Sequence, residues 1–293
     1  MIQYNNQNSF KEIHYNGHDI QKAYCDTGDL VWQKQSPGPT PTSAKFVLTL
    51  NDSSTVSAEC DSTSAITKSE VSTPYKSTLV SAEIGDCVTS IGSDAFYECS
   101  RLTSIDIPNS VTSIGSWAFY GCSGLTSINI PNSVTSIGNN AFYNCSGLTS
   151  VTISDNVTSI GSSVFRNCSG LTSINIPSGI TSIGNQAFYN CTSLSSVTIP
   201  DSVTTIGDGT FRRCSGLTRI DIPSGVTSID NQAFEDCISL TSVTVNTTTP
   251  PTLGYDVFYN TNNCPIYVPS SSVTAYQSSW SDYASRIQAI PNS

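Results

Sequence analysis

Charge is what this sequence has least of: Asp, Glu, Lys and Arg make up 12% of 293 residues, and the formal net charge is −10. All six lysines lie at or before Lys76, so the remaining chain is acidic and lysine-free. That distribution excludes a phosphate-backbone partner, DNA or RNA, as the expected ligand. Histidine is nearly missing too; the only two, His14 and His18, lie close to the N-terminus. Acid–base and nucleophilic catalysis therefore lack their commonest participant over most of the chain. No apolar run of about 18 residues exists, so no membrane-spanning segment and no membrane insertion is expected. The start, "MIQYNNQNSFKEIHYNGHD", has no basic stretch leading into an apolar one, and no secretion signal is expected in the chain as given. Ser, Thr and Asn supply the polarity that charge does not.

What the chain has instead is repetition. Cys99, Cys122, Cys145, Cys168, Cys191, Cys214 and Cys237 follow one another every 23 residues. Leu102, Leu125, Leu148, Leu171, Leu194, Leu217 and Leu240 keep step, as do Phe96, Phe119, Phe142, Phe165, Phe188, Phe211 and Phe234. Seven copies run from Val88 to about Thr248, of the form V-T-S-I-G-x-x-A-F-x-x-C-x-x-L-T-S-I-x-I-P-x-x. A fixed period of this length is the signature of a leucine-rich-repeat solenoid. One unit holds too few apolar residues for a core, but units stacked in register turn each apolar position into an internal column. "LTSIxI" reads as a short parallel strand with both Ile inward and the residue between them outward. "VTSIG" reads as a second extended segment ended by Gly, and the Pro after "LTSIxI" ends pairing there. "xxAFxxC" reads as a short helical or irregular turn. Seven units at about 4.8 Å each give a rod or shallow arc of roughly 30 Å, plus caps.

Both ends carry modified copies. Leu79, Ala82 and Ile84 stand 23 residues before Leu102, Ile105 and Ile107, marking an entering half-repeat. "LGYDVF" (253–258) matches "IGSDAF" (91–96), and "CPIYVP" supplies a last strand. The tail "VTAYQSSWSDYASRIQAI" brings Trp280, Tyr283 and Ile287, expected on a helix that closes the open sheet. Terminal units need such covers, or their apolar columns and strand edges stay open.

The "SVTSIGxxAFxxCxxLTSIxIP" units, with the closing "TPPTLGYDVFYN…CPIYVP…VTAYQSSWSDYASRIQAI", resemble the BspA-like, Treponema-type class of leucine-rich repeats over about residues 77–293. That class is known from bacterial surface adhesins and from proteins of phages. The resemblance implies adhesion or host-surface binding and specifies no single ligand.

Ahead of the repeats, "SPGPTPT" (36–42) is a Pro-rich linker and a boundary. Before it, "EIHYNGHDI" alternates around Asn16-Gly17, the signal for a two-residue hairpin that would pair Tyr15 with His18. "KAYCDTGDLVWQK" offers a second hairpin turning near Asp26–Asp29. So short a segment is marginal alone and fits an attachment module that gains stability from a partner. Its text, "IHYNGHDIQKAYCDTGDLVWQK", resembles N-terminal modules of phage and prophage structural proteins. "KFVLTL" and "STVSAEC", within 43–76, read as strands of a small β cap. The domains expected are thus 1–35, hairpin attachment module; 36–42, linker; 43–87, β cap and entering half-repeat; 88–248, seven repeats; and 249–293, degenerate repeat and C-terminal cap.

The cysteine column invites a metal or disulfide reading. Zinc needs clustered ligands such as C-x₂-C, which one cysteine per rung does not provide. Equivalent side chains point the same way rather than at each other, against a disulfide chain. A buried ladder of free thiols is expected. Cys25, Cys60, Cys87 and Cys264 lie off the column, and a Cys60–Cys87 link remains open. His14 and His18 flank the hairpin turn without sitting opposite each other and read as exposed side chains. "GCSG" (121–124) is not G-x-S-x-G, and Glu235-Asp236 reads as solvated charge. Sequons such as Asn144-Cys145-Ser146 follow from the repeat's own composition. No cofactor, metal or catalytic residue is expected, and the chain is not expected to be an enzyme.

The outward strand columns are flat and rich in hydroxyls: Ser104 to Ser242, and Asp106 to Thr244. Variation gathers just after Phe instead, where Tyr97, Tyr120, Tyr143, Arg166, Tyr189, Arg212 and Arg213 form the candidate ligand-binding ridge. Tyr and Arg combine flat surface with hydrogen-bonding tips, which suits sugar stacking or protein contact. The plainer reading is that Tyr shields the turn and neighbouring rungs. The fold class expected is a mainly β solenoid, a leucine-rich-repeat stack with N- and C-terminal caps. The function expected is non-enzymatic binding by a phage or prophage virion-associated protein, in a tail or fibre. It would recognise a host cell-surface glycan or protein through the repeats and join other virion or assembly proteins through residues 1–35. A bacterial surface adhesin is the alternative, and a structural decoration or spacer without a specific ligand the second.

Overall fold

The computed structural model describes residues 44–60 and 64–291, together with the backbone of three earlier strands. Each 23-residue unit forms one turn of a solenoid of about ten turns. The first strands of neighbouring units pair in parallel in short sheets, with breaks after Ser104–Asp106, Ser150–Thr152 and Ser196–Thr198. Ser127–Asn129, for instance, pairs residue for residue with Ser150–Thr152. Period-2 alternation then does what the pattern requires: Ile128 is buried while Ser127 and Asn129 are exposed. Pro131 follows directly after Ile130; having no N–H, it can only end the pairing, and its carbonyl accepts the Val134 N–H at 3.0 Å in the turn.

The second strand is shorter. Ser113–Ile114 pairs with Ser90–Ile91 on one side and Ser136–Ile137 on the other. The glycine that follows lets backbones of successive turns approach: a Cβ on Gly138 would stand 2.4 Å from the Ser116 nitrogen. This ladder is interrupted once. Between Ile137 and Ile160 no strand pair forms, though the Oδ1 of Asn139 still accepts the Ser162 N–H at 3.0 Å, as Asn185 Oδ1 accepts that of Asp208. The same unit carries Ser154 where its neighbours carry Pro, and the Ser154 Oγ accepts the Asn156 N–H at 3.1 Å.

The third side, around "AF", is neither helix nor strand, yet it too is hydrogen-bonded between turns. The N–H groups of Asp94, Phe96 and Glu98 donate to Ser116, Ala118 and Tyr120 at 3.0, 2.7 and 2.6 Å. Two left-handed residues per unit produce this path, as at Asp94 (φ 58°) and Glu98 (φ 57°), or Asn140 (60°) and Asn144 (61°). The core columns run behind it. Successive Phe rings stack with centroids 5.1 to 5.6 Å apart from Phe96 to Phe258. The seven column cysteines and Cys264 are buried free thiols, as a ladder of fillers requires. The thiols from Cys122 to Cys237 each also donate to a carbonyl of the preceding turn, Cys145 Sγ to Phe119 O at 3.1 Å among them.

Both ends are covered. β1 (Ile13–Tyr15), β2 (Gln21–Tyr24) and β3 (Leu30–Gln35) form an antiparallel run that continues through β5 (Thr55–Glu59) to β4 (Ala44–Leu50). β6 (Ala65–Ile66) opens the second ladder, and β7 (Leu79–Ile84) joins β4 antiparallel to the first strand of the first full repeat in parallel. Leu79, Ala82 and Ile84 are buried as the half-repeat demands. Cys60 and Cys87 form a disulfide with Cα atoms 6.1 Å apart, closing the link left open by the sequence. The short helix α1 (Ser72–Tyr75) offers the Ser72 N–H to Ala95 O at 3.1 Å and its Oγ to Asp94 O at 3.0 Å, capping carbonyls that have no preceding turn.

Two expectations need correction. Tyr15 pairs with Gln21, not His18, leaving a five-residue connection (16–20) instead of a two-residue turn. The register must also serve β3, where Ala23 lies opposite Trp32, so pairing across the run outweighs the local Asn-Gly signal. His18 and the Asn16-Gly17 pair themselves fall outside the described residues. At the far end, the expected helix is present as α2 (Val273–Ser279), but it does not close the sheet. After a 3₁₀ stretch the chain adds one more parallel strand, Ile287–Ala289, against Ile266–Val268. Trp280 and Tyr283 do the covering: Trp280 lies 6.0 Å from the Phe258 ring, and the Tyr283 hydroxyl accepts the Phe258 N–H at 3.1 Å.

Candidate functional site

The residue after each Phe lies between the two left-handed positions of its unit, and this local path turns its side chain out along the third side. Tyr97, Tyr120, Tyr143, Arg166, Tyr189 and Arg212 thereby form one column, half-buried throughout. Tyr97 stacks on Tyr120 at 4.7 Å, and Tyr120 meets Tyr143 at 5.3 Å. The Arg166 guanidinium then sits between two rings, 5.4 Å from the centroid of Tyr143 and 4.3 Å from that of Tyr189. Arg212 continues the series 6.0 Å from Tyr189 and ends on Glu235 at 3.0 Å. Lys68 covers the opposite end, 4.8 Å over Tyr97. The column is thus a continuous series of three rings followed by guanidinium, ring and guanidinium, with Lys68 at its head.

Arg213 belongs to a neighbouring column and is exposed, 3.5 Å from Asp236. In that column Asn190 Nδ2 donates to Asn167 Oδ1 at 3.1 Å, and Asn167 Nδ2 to Asn144 Oδ1 at 2.8 Å. Asn144 Nδ2 closes on the Tyr120 hydroxyl at 3.3 Å, tying this amide ladder to the ring column. Left-handed backbone favours Asn here, which is why the ladder follows the turn. The sequon at Asn144 therefore overlies an amide already engaged on both sides.

Glu235, expected from the sequence to be solvated charge, is instead buried at the end of the ridge. Burial pushes its carboxyl up, against the pull of Arg212, and its Oε2 has no hydrogen-bond partner among the described residues. No group of three His, Cys, Asp or Glu able to hold a metal ion occurs among the described residues. No helix there is long and apolar enough to cross a membrane.

Three exposed aromatics escaped the repeat-based reading. Trp117 is 37% exposed, Tyr255 61% and Tyr259 60%. Tyr259 follows Phe258 and so extends the ring column into the degenerate last unit. Trp117 occupies the left-handed position before "AF", where other units carry Asp94, Asn140, Ser163, Gln186, Gly209 and Gln232. Its indole lies across Tyr120 at 5.2 Å and Tyr143 at 5.9 Å. The signal was available in the sequence: a Trp in a column otherwise made of small or polar residues.

The profile of the BspA type leucine rich repeat region matches the chain over residues 72–191 and 158–285. A leucine-rich repeat protein from Bacteroides ovatus has a similar structure, with a TM-score of 0.60 and 24% identity over 90% of this chain and 71% of its own. The T. pallidum leucine rich repeat protein superposes with a TM-score of 0.51 and 27% identity, covering 72% of this chain and 92% of its own. One from Eubacterium ventriosum is 33% identical with a TM-score of 0.50, over 53% of this chain and 42% of its own. No curated protein matches the chain.

Proposed function

This chain belongs to the BspA-type leucine-rich-repeat family, and from that premise we propose that it is a non-enzymatic recognition protein for a cell-surface glycan or protein. The observation that carries this reading is the ring-and-guanidinium column. It runs from Tyr97 to Arg212 along the side of the solenoid where variation between units gathers. The strand faces offer small hydroxyls, several already spent on the backbone: Thr149 Oγ1 donates to Thr126 O at 2.9 Å. Aromatic and Arg side chains are the residues that dominate binding energy where recognition is strong. A stack anchored on a rigid core also holds them in place before a partner arrives, which lowers the entropy lost on binding.

Two placements follow, each with its own support. The text of residues 1–35, similar to N-terminal modules of phage structural proteins, supports a virion-associated protein in a tail or fibre, attached to its assembly through that segment. Family membership supports the bacterial cell surface. Neither placement calls for nucleic acid or insertion in a membrane. Proteomics of purified phage particles against washed host envelopes separates them: peptides of this chain in the particles support the first, peptides in envelopes alone the second. For the binding reading itself, Tyr120→Ala with Tyr143→Ala should weaken retention on target cells by about tenfold or more. Unchanged retention in a folded double variant would sink the ridge as the binding surface.

A further inference from the structure

One rung of the ridge differs electrostatically from the rest. Lys68, Lys76, Arg212 and Arg213 each meet a carboxylate, on Asp94, Glu98, Glu235 and Asp236 respectively. Arg166 meets none among the described residues. Its Nη1 donates to Gln186 Oε1, its Nε is buried without a partner, and Nη2 is left open to solvent. Two Tyr rings flank this guanidinium. It is an uncompensated cation in a chain whose net charge is −10.

Beside it stands Trp117, whose backbone is at φ 59°, where a bulky side chain is a real outlier. Nothing in the fold demands it, since Asn140 and Ser163 serve at the equivalent place. An exposed indole kept against its backbone preference points to a role outside the fold. Tyr143 bridges the pair, 5.9 Å from the indole and 5.4 Å from the Arg166 guanidinium. Trp117 and Arg166 lie two turns apart, about 10 Å along the axis, close to the reach of two linked sugar rings. Between them in the repeat stand a short amide and a hydroxyl, Asn140 and Ser163, at the positions equivalent to Trp117.

We infer that Trp117, Tyr143 and Arg166 form a subsite for a carboxylated glycan, with one sugar ring on the indole and the carboxylate of its neighbour on Arg166. This deepens the recognition reading above and rests on it. The indole supplies the flat apolar surface, Asn140 and Ser163 match sugar hydroxyls, and the remaining guanidinium donors can meet a carboxylate.

The test titrates the full chain with oligosaccharides of polygalacturonate, hyaluronan and polysialic acid, and with their carboxyl-reduced forms. The expected result is binding to at least one acidic oligosaccharide, weakened by about tenfold or more on carboxyl reduction. Arg166→Tyr, which restores the column's usual residue, and Trp117→Asn, which restores the flanking one, should each weaken it by about tenfold as well. Both variants keep a residue already tolerated at that place, so circular dichroism and thermal unfolding should show intact folds. No binding to any of the three acids would overturn the inference, as would equal affinity for the carboxyl-reduced forms. In that event, cell retention that still depends on Tyr120 and Tyr143 leaves the recognition reading standing. Loss of that dependence removes both.

Discussion

Gly85 shows how little room the N-terminal cap leaves: a Cβ there would lie 1.7 Å from the carbonyl oxygen of Ala44. Backbone cannot yield as a side chain does, so Gly85→Ala should cost about 1–3 kcal/mol and lower the urea midpoint. Gly179→Ala, whose Cβ would sit 3.5 Å from Asp155 O, should leave that midpoint within error of wild type. Trp117→Asn should raise the melting temperature or leave it unchanged, since Asn accepts φ 59° at lower cost than Trp. A clear drop would show that the indole is structural after all. Single residues were unevenly legible in the sequence. The buried Phe, Leu and Cys could be assigned because each recurs at one period. Trp117 could not, because its importance lies in departing from its column. Its contact with Tyr143 depends on how the left-handed turn aims it, and a linear pattern does not carry that angle. Arg166 was legible as a variable residue, but its sandwich between two Tyr rings needed the axial spacing of the stack.

At the scale of the element, the cysteine column makes a sharp demand on pH. Burial pushes the thiols of Cys99, Cys145 and Cys214 up to about 12 from an ordinary value of 9.0, and raises Cys122, Cys168, Cys191 and Cys237 well above it. Folded values above unfolded ones mean that the unfolded chain releases protons first as pH rises. The column's contribution is therefore complete below 9.0 and is lost progressively as pH climbs toward 12. Melting temperature should stay level to about pH 8 and then fall steeply, with several thiols titrating together. A flat profile through pH 11 would contradict the buried ladder, as would rapid labelling of the eight buried thiols in the native protein. The strand positions of the repeats were legible, because period-2 alternation and the closing Pro and Gly set their limits, but the breaks in their pairing were not. The third side was not: alternating left-handed residues with cross-turn N–H bonds leave no hydrophobic period to read. The tail was half legible. Its helix was foreseeable, but a three-residue strand such as Ile287–Ala289 carries too little pattern to distinguish it from a helix end.

The whole molecule behaves, on this account, as a one-dimensional stack in which each turn meets only its neighbours. Deleting residues 145–167 joins Asn144 to Cys168 and removes one complete turn in register. That deletion should fold cooperatively at somewhat lower stability, whereas removing 145–156 alone should abolish cooperative unfolding because every later column falls out of phase. The functional consequence of the stack is a division of labour among its three sides. Two sides hold strands whose outward residues are mostly small and polar, Arg219 and Tyr267 excepted, and the third holds the column of rings and guanidinium groups from Tyr97 to Arg212. Hydroxyl-radical footprinting of the chain bound to target cells tests that division most directly, because reactive aromatics stand on both kinds of surface. Tyr267 lies on a strand side, paired with Thr244, while Trp117, Tyr143 and Tyr189 lie on the ridge. The account predicts that binding protects Trp117, Tyr143 and Tyr189 from oxidation and leaves Tyr267 as reactive as in the free protein. Protection of Tyr267 with the ridge still open would contradict it.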